Sequence, residues 1–311
     1  MIEVFTTLGN NGLRKIEEIE KSSWIRVVDP TKEEMDHLVE IGLPGDFLTY
    51  ALDEDEIPRV EKEDDGTTLI LMRSPYYRGS EYDIPYVTSV LGVILFQNKV
   101  VTVSKRRNDI LDSLVNTKIK GFSTVKRNRF LLQLLLSTAK QYLGYLRQIN
   151  EKVDSTEDSL QKSLNNKEVL ELLKFQKSLV YFETGLRTNQ VMMEKLDRMK
   201  MLYEFEEDED LLDDVLTENK QAREMVMISS SILSSMMDAY ASIISNNLND
   251  VMKVLTSVTI ILSLPTLVTS FFGMNVGLPF TQIGQAYWII LGICVLLMAA
   301  TLLYFIWRKW F

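Results

Sequence analysis

From Val254 to Phe272 the chain carries no ionisable side chain, and Leu, Ile, Val and Phe dominate. As a helix this run rises about 29 Å, close to the thickness of a bilayer core. A second apolar run, Tyr287–Trp307, has Tyr287, Trp288, Tyr304 and Trp307 near its edges. Aromatic side chains suit the two membrane interfaces, so both runs are predicted to span a membrane. Upstream, Leu211–Phe272 contains no glycine, and its one proline is Pro265. The pattern predicts one helix of ~62 residues, roughly 93 Å long at 1.5 Å per residue.

A polar stripe runs along that helix. Asp238, Ser242, Ser245, Asn249, Met252, Thr256, Thr259, Ser263, Thr266 and Ser270 recur at alternating steps of four and three. Such a heptad is the seam of a left-handed bundle, so the helix is expected to need partner copies. Two readings fit hydroxyls in hydrocarbon. Either they bond across a packed helix pair, or several helices surround a wet axis. Asn249 and Asp238 carry the stripe beyond the apolar run, which favours the axis. Pro265 removes one backbone bond and is expected to kink the helix.

The N-terminal part alternates strand-like and helical patterns. Met1–Thr7, Trp24–Val28, Thr67–Met72, Ser89–Phe96 and Lys99–Ser104 read as strands, with a tight hairpin at Gln97-Asn98. Thr31 with Glu34 predicts a capping box, and Pro44-Gly45-Asp46 starts a further short helix. Asn128–Met201 reads as two antiparallel helices turning at Asn165-Asn166. Phe130, Leu131, Leu134, Leu135, Thr138 and Tyr142 share one face, and Leu170, Leu173, Leu179, Phe182 and Leu186 share another. The acidic run Glu204–Asp210 reads as a solvated loop and helix start, where acids favour the dipole.

The expected organisation is an α/β domain, a central sheet with flanking helices, over residues 1–125. A helical hairpin follows over 126–203, and the stalk part of the long helix over 204–250. A pore helix is expected at 251–272, an outer loop at 273–286, a second span at 287–307 and a basic end at 308–311.

Composition narrows the function. The 311 residues carry a net charge of −9, which disfavours a nucleic-acid partner. The one cysteine, Cys294, falls within the second span, so no intrachain disulfide is expected. The one histidine, His37, is given no role. The N-terminal stretch turns charged at once, as a chain without a signal peptide would, so the first ~240 residues are expected in the cytosol. Lys253, Arg308 and Lys309 fall on one side and the short loop has no charge, which puts both termini in the cytosol. No phosphate-binding glycine loop, Cys/His metal cluster or triad histidine points to an enzyme.

At the end of the first span stands Phe271-Phe272-Gly273-Met274-Asn275. Upstream is the run Asn249–Thr256, NDVMKVLT; Pro265-Thr266 lies in mid-helix, and a second span leads to a basic aromatic end. Together these resemble the CorA-type divalent-cation channels, whose signature is Gly-Met-Asn at this place. WIRVVDPTKEE and PRVEKEDD also look like family text.

The resemblance implies a funnel-shaped homopentamer in a cell membrane that takes up Mg²⁺, with Co²⁺ and Ni²⁺ as further ions. It implies a selectivity filter of Gly273, Met274 and Asn275. It puts Asn249, Met252, Leu255 and Thr266 along the pore, beside the seam residues Thr259, Ser263 and Ser270, with Asp238 as a lower ring. Hydrated Mg²⁺ would meet Asn275, Asn249 and Asp238. Met252 and Leu255 would form an apolar neck that gates by dewetting.

Two features depart from the family. Its cytosolic sensing site has an adjacent Glu-Asp pair where this chain, counted back from Pro58-Arg59-Val60-Glu61, has Thr49-Tyr50. The partner aspartate matches Asp214, so regulatory Mg²⁺ binding is reduced or falls to Asp53, Glu54, Asp55 and Glu56. The outer loop also lacks the acidic residue of many members. Two rivals remain: a zinc or cobalt transporter of the same superfamily, and a membrane-anchored oligomeric scaffold. The intact triplet favours magnesium, and the polar seam counts against a mere anchor.

Overall fold

The computed structural model describes residues 1–7, 12–116, 122–162, 166–200, 202, 206–277, 284–308 and 310. They form two compact units, Met1–Ser235 and Met236–Phe311.

The first unit is built on a seven-stranded sheet. Its strands are β1 (Ile2–Thr7), β2 (Leu13–Ile16), β3 (Trp24–Val28), β4 (Arg59–Lys62), β5 (Thr68–Tyr77), β6 (Tyr86–Phe96) and β7 (Lys99–Ser104). They lie in the order β2-β1-β3-β7-β6-β5-β4. The central β3–β7 pair is parallel and all other neighbours are antiparallel. Helices α1 (Lys32–Glu40) and α2 (Gly45–Leu52) follow β3, and α3 (Asp109–Asn116) follows β7. Then come the long helices α4 (Arg127–Lys162) and α5 (Asn166–Arg198).

Strand side chains alternate between faces, and here both faces are buried, which explains the near-continuous apolar runs of β5 to β7. Ile25, Val27, Leu69, Leu71, Ile94 and Val101 join Phe47 and Leu48 of α2 in one core. Trp24, Ile70, Met72, Val93 and Val100 join Leu111 of α3 and Phe130, Leu134 and Met193 of the long helices in the other. Gly92 is the close approach: a Cβ there would collide with Ala51 of α2.

The capping box forms as expected. Thr31 Oγ1 accepts from the Glu34 amide at 3.3 Å, and Glu34 Oε2 accepts from the Thr31 amide at 2.9 Å. The hairpin between β6 and β7 turns at Gln97, which takes a φ of 49°. β2, β4 and α3 were not foreseen; the first two are four-residue edge strands whose sequences, LRKI and RVEK, show too few alternations to register as strands. On α4 the predicted face, Phe130 to Tyr142, is buried throughout. Of the predicted α5 face only Leu179, Phe182 and Leu186 are buried; Leu170 and Leu173 are 60% and 37% exposed, because the buried stripe at this end of the helix runs through Leu172 and Phe175 instead. The predicted turn residue Asn165 lies outside the described residues, and Asn166 already opens α5.

The long helix α6 (Glu206–Phe272) has 67 residues and begins earlier than its apolar pattern suggested. Its acidic first turn is not simply solvated. Arg129 of α4 bonds Glu207 at 2.7 Å and Asp208 at 2.8 Å, and Asp208 is buried. That pairing holds the Glu207 carboxyl below its ordinary value and raises Arg129. Leu212 and Val215 continue this part of α6 into the core beneath the sheet. Glu204 and Phe205 of the acidic run lie outside the described residues. The second unit holds the remainder of α6 and α7 (Ala286–Trp307), which is followed by a short end.

Candidate ion pathway

α6 and α7 are the two described helices long and apolar enough to cross a membrane. Within the second unit α6 has a covered side, formed by buried Ser257 and half-buried Ile261, Leu264 and Val268. The predicted seam lies on the other side. At 3.6 residues per turn Thr259, Ser263, Thr266 and Ser270 stand about 200° around the helix from that covered row. Asp238, Asn249, Met252, Leu255, Thr259, Ser263, Thr266 and Ser270 are all exposed in the single chain. The polar stripe is therefore part of the broad surface that α6 leaves uncovered in the single chain, with apolar side chains such as Leu262 and Leu267 exposed beside it.

The hydroxyls on this face are oriented by their own helix. Thr259 Oγ1 donates to the Leu255 carbonyl at 2.8 Å, Ser263 Oγ to the Thr259 carbonyl at 2.7 Å, and Thr266 Oγ1 to the Leu262 carbonyl at 3.0 Å. Each hydroxyl hydrogen is spent within the helix, and the oxygen lone pairs remain as acceptors. Such a row can accept hydrogen bonds from water or from the hydration shell of a cation. Ser242 Oγ makes the same bond to the Asp238 carbonyl at 3.0 Å, which extends the arrangement below the apolar run.

Pro265 lies inside α6, which continues through it to Phe272. The helix ends at Gly273, whose amide still donates to the Thr269 carbonyl at 2.9 Å, while the Met274 amide reaches the Phe271 carbonyl at 3.4 Å. A Cβ on Gly273 would stand 3.2 Å from the Thr269 carbonyl oxygen, so glycine fits this tight last turn. Met274 and Asn275 are exposed just past it. Residues 278–283 of the predicted outer loop lie outside the described residues. At the other end Lys253 is ion-paired with Asp250 at 2.8 Å, and Trp310 stacks on Phe305 at 5.1 Å. Lys309 and Phe311 of the basic end also lie outside the described residues.

The predicted regulatory residues sit in the first unit. Thr49 and Tyr50 fall in α2. Thr49 Oγ1 donates to the Gly45 carbonyl at 3.0 Å, and the Arg59 guanidinium lies 4.9 Å over the Tyr50 ring. The place of the expected acid pair thus carries a guanidinium, itself ion-paired with Glu56 and Glu61, rather than free carboxylates. Sequence reading missed Arg59 as Tyr50's neighbour, because no periodicity links a helix residue to the edge strand that follows its loop. Of the acidic cluster, Glu54 accepts from Ser89 Oγ and the Val90 amide, and Glu56 is paired with Arg59. Asp53 and Asp55 stay exposed, as does Asp214 on α6. Among the described residues of one chain, no three acidic, histidine or cysteine side chains form a metal-binding group.

Comparison with known proteins decides the lineage. The family described as CorA-like Mg²⁺ transporter protein matches residues 20–309. The chain belongs to this CorA-like family. It is 30% identical over 280 residues to the cobalt/magnesium transport protein CorA of Methanocaldococcus jannaschii, covering 88% of this chain and 86% of that one. It is 24% identical over 225 residues to the protein of the same description from Thermotoga maritima, covering 71% and 64%. The complete structure of the CorA magnesium transporter from Methanocaldococcus jannaschii superposes with a TM-score of 0.85 at 26% identity, covering 100% of this chain and 99% of that one. The chain is therefore a CorA-type membrane protein, an α/β domain followed by a long helix and two candidate C-terminal spans. Its family consists of transporters rather than enzymes.

Proposed function

We propose that copies of this CorA-type chain assemble around their α6 helices into a channel that takes up magnesium. The observation that carries this reading is the exposed seam: a row of oxygen acceptors on the uncovered side of a membrane-spanning helix, ending at Gly273-Met274-Asn275. Mg²⁺ gives up its waters reluctantly, so a pathway for it needs neutral acceptors for a hydrated ion rather than a cage of carboxylates. Asn275 and the Gly273 carbonyl would supply these at the outer mouth, with Met274 holding the turn. Thr259, Ser263, Thr266 and Ser270 would line the membrane part, and Asn249 and Asp238 the inner part. Met252 and Leu255 interrupt the polar seam with apolar side chains and would form the neck.

The relatives above are named as cobalt/magnesium transport proteins, which supports Mg²⁺ and Co²⁺ as cargo. The assembly is a pentamer in the cell membrane, with the α/β domain, the hairpin and the stalk in the cytosol and both termini inside. The boundaries fall at residues 125, 203, 250, 272, 286 and 307. An inside-negative potential would drive uptake by about 4.6 kcal/mol per 100 mV for a doubly charged ion.

The test is ion flux into liposomes that contain this protein alone. Mg²⁺ uptake that depends on membrane potential and is slowed by competing Co²⁺ and Ni²⁺ is expected. Uptake of Zn²⁺ in preference to Mg²⁺ would reassign the cargo, and no flux of any divalent ion would leave the chain a scaffold.

A further inference from the structure

Between the loop after α2, the far end of β5 and the outer face of α5 lies a cavity of ≈ 610 Å³. That volume suits a ligand of nucleotide size. Three guanidinium groups line it: Arg73 within β5, Arg78 just beyond its end, and Arg106 after β7. Arg73 Nη2 donates to the Glu56 carbonyl at 2.9 Å. Arg78 lies 4.3 Å over the Tyr82 ring, and Arg106 lies 5.4 Å over the Tyr76 ring. Anchored side chains lose less freedom when they take up an anion.

Of the three acids that line the same cavity, Glu54 and Glu56 are already hydrogen-bonded or ion-paired, Glu54 in part to Arg106 of the cavity itself. Glu54 accepts from Ser89 Oγ at 3.0 Å and from the Val90 amide at 3.3 Å, and Arg106 Nε stands 3.5 Å from it. Glu56 is paired with Arg59. Asp55 is the exposed exception. A second groove meets the first at Pro58 and adds Lys195 and Arg198. The cavity alone is balanced, three arginines against Glu54, Asp55 and Glu56; with Arg59, Lys195 and Arg198 of the adjoining groove the basic side chains are in excess on this surface of a chain of net charge −9.

The remaining wall is apolar and planar. Val180 is 53% exposed and Tyr181 45% exposed, side by side on α5. Gly185, also in the lining, lets α5 approach the sheet closely: a Cβ there would collide with the Tyr142 hydroxyl. Guanidinium forks match phosphate oxygens in pairs, and a tyrosine face stacks on a planar ring.

We propose that this cavity binds a nucleotide, its phosphates on Arg73, Arg78 and Arg106 and its base against Tyr181 and Val180. The site lies wholly in the first unit and does not depend on which ion the chain carries. The test is calorimetric titration of the full-length protein in detergent with ATP, with Mg·ATP and with inorganic tripolyphosphate. Saturable binding of ATP, tighter than of tripolyphosphate, is expected. Arg78→Ala and Arg106→Ala should each raise the ATP Kd about tenfold, the loss expected for one charged hydrogen-bonded contact. Tyr181→Ala should weaken ATP and leave tripolyphosphate unchanged, a separation that a misfolded variant would not give. Absence of saturable ATP binding would overturn the proposal, as would equal binding of ATP and tripolyphosphate. Loss of oligomer in the arginine variants without loss of nucleotide binding would also overturn it, by giving the groove to a neighbouring copy.

Discussion

The Asn189 carboxamide on α5 pairs with both backbone polar groups of Arg73 on β5: the Arg73 amide donates to Asn189 Oδ1 at 2.8 Å, and Asn189 Nδ2 donates to the Arg73 carbonyl at 2.8 Å. β4 covers β5 only from Thr68 to Leu71, so beyond Leu71 this strand edge has no strand neighbour. A fully buried side chain takes the strand's place. Asn189→Leu would fill the volume and leave the Arg73 amide unpaired, while the carbonyl keeps the Tyr142 hydroxyl at 3.1 Å. A buried orphan donor costs about 2–3 kcal/mol. The melting temperature of the detergent-solubilised chain should fall by about 5 °C or more. An unchanged melt would show that water replaces the amide's partner.

Asn275 stands exposed one turn past the last helical amide of α6, at the end of the seam. Asn275→Ala replaces a ring of amide acceptors with methyl groups, which cannot accept bonds from coordinated water. Assembly should be unchanged by size-exclusion chromatography, and Mg²⁺ uptake into liposomes should fall at least about tenfold, the effect of one lost charge-assisted contact. Wild-type uptake by the assembled variant would remove the filter from this residue.

Much of this was legible in the sequence for a physical reason: long periodic patterns average over many residues. The apolar run of α6 and its seam are visible because each is repeated over many turns, and β7 because Val100, Val101 and Val103 are packed on both faces. The Thr31–Glu34 box is local and needs no tertiary information. What escaped depends on residues distant in sequence. Nothing near Asp208 signals burial, since Arg129, which pairs with it, lies on another helix. The same holds for Arg59 over Tyr50, and for Arg78, Arg106 and Tyr181, which three separate elements bring to one cavity.

Asp112 of α3 pairs with Arg26 of β3 at 2.7 Å and with Arg107 at 2.7 Å. Burial pushes the Asp112 carboxyl up, but the hydrogen bonds from Arg107 and Arg26 outweigh it and hold it below the ordinary value. A depressed carboxyl stabilises the fold above its unfolded value, about 3.9, and that contribution is lost as pH falls through the lower folded value. Arg26 is itself buried, with Nε and Nη2 unpaired and its other carboxylate neighbour, Glu3, at 3.8 Å, so it leans chiefly on this closer partner. Asp112→Asn should destabilise the first unit by about 3 kcal/mol at pH 7, as expected for a buried charge that loses its nearest partner. The gap between wild type and variant in thermal melts should narrow below about pH 4, where the unfolded chain's carboxyl begins to take up a proton that the native one does not. A gap of constant size from pH 7 to pH 3 would mean that the charge of Asp112 contributes nothing.

A divalent ion held between copies needs carboxylate oxygens. Tyr50, at the position of the family's acid pair, carries the Arg59 guanidinium 4.9 Å over its ring, and the Thr49 hydroxyl hydrogen is spent on the Gly45 carbonyl. A cation arriving there meets a guanidinium whose charge is already balanced by Glu56 and Glu61, and no free carboxylate. Glu54 and Glu56 are engaged by Ser89 and by Arg59, so Asp53, Asp55, Asp213 and Asp214 remain as exposed acids. Exposed acids attract divalent ions by screening, which is graded and sensitive to ionic strength. Closure by Mg²⁺ should therefore be shallow, and Asp214→Ala should shift its midpoint only about twofold, in keeping with the small worth of one exposed charge. Tyr50→Asp with Arg59→Gln should do the reverse, by restoring a carboxylate and removing the guanidinium, and steepen the response. Protease protection of the first unit against Mg²⁺ concentration measures both. A sharp transition in the unaltered protein that Asp214→Ala abolishes would show that Asp214 has a strong partner on a neighbouring copy, and that Thr49 and Tyr50 are not where the family's site maps.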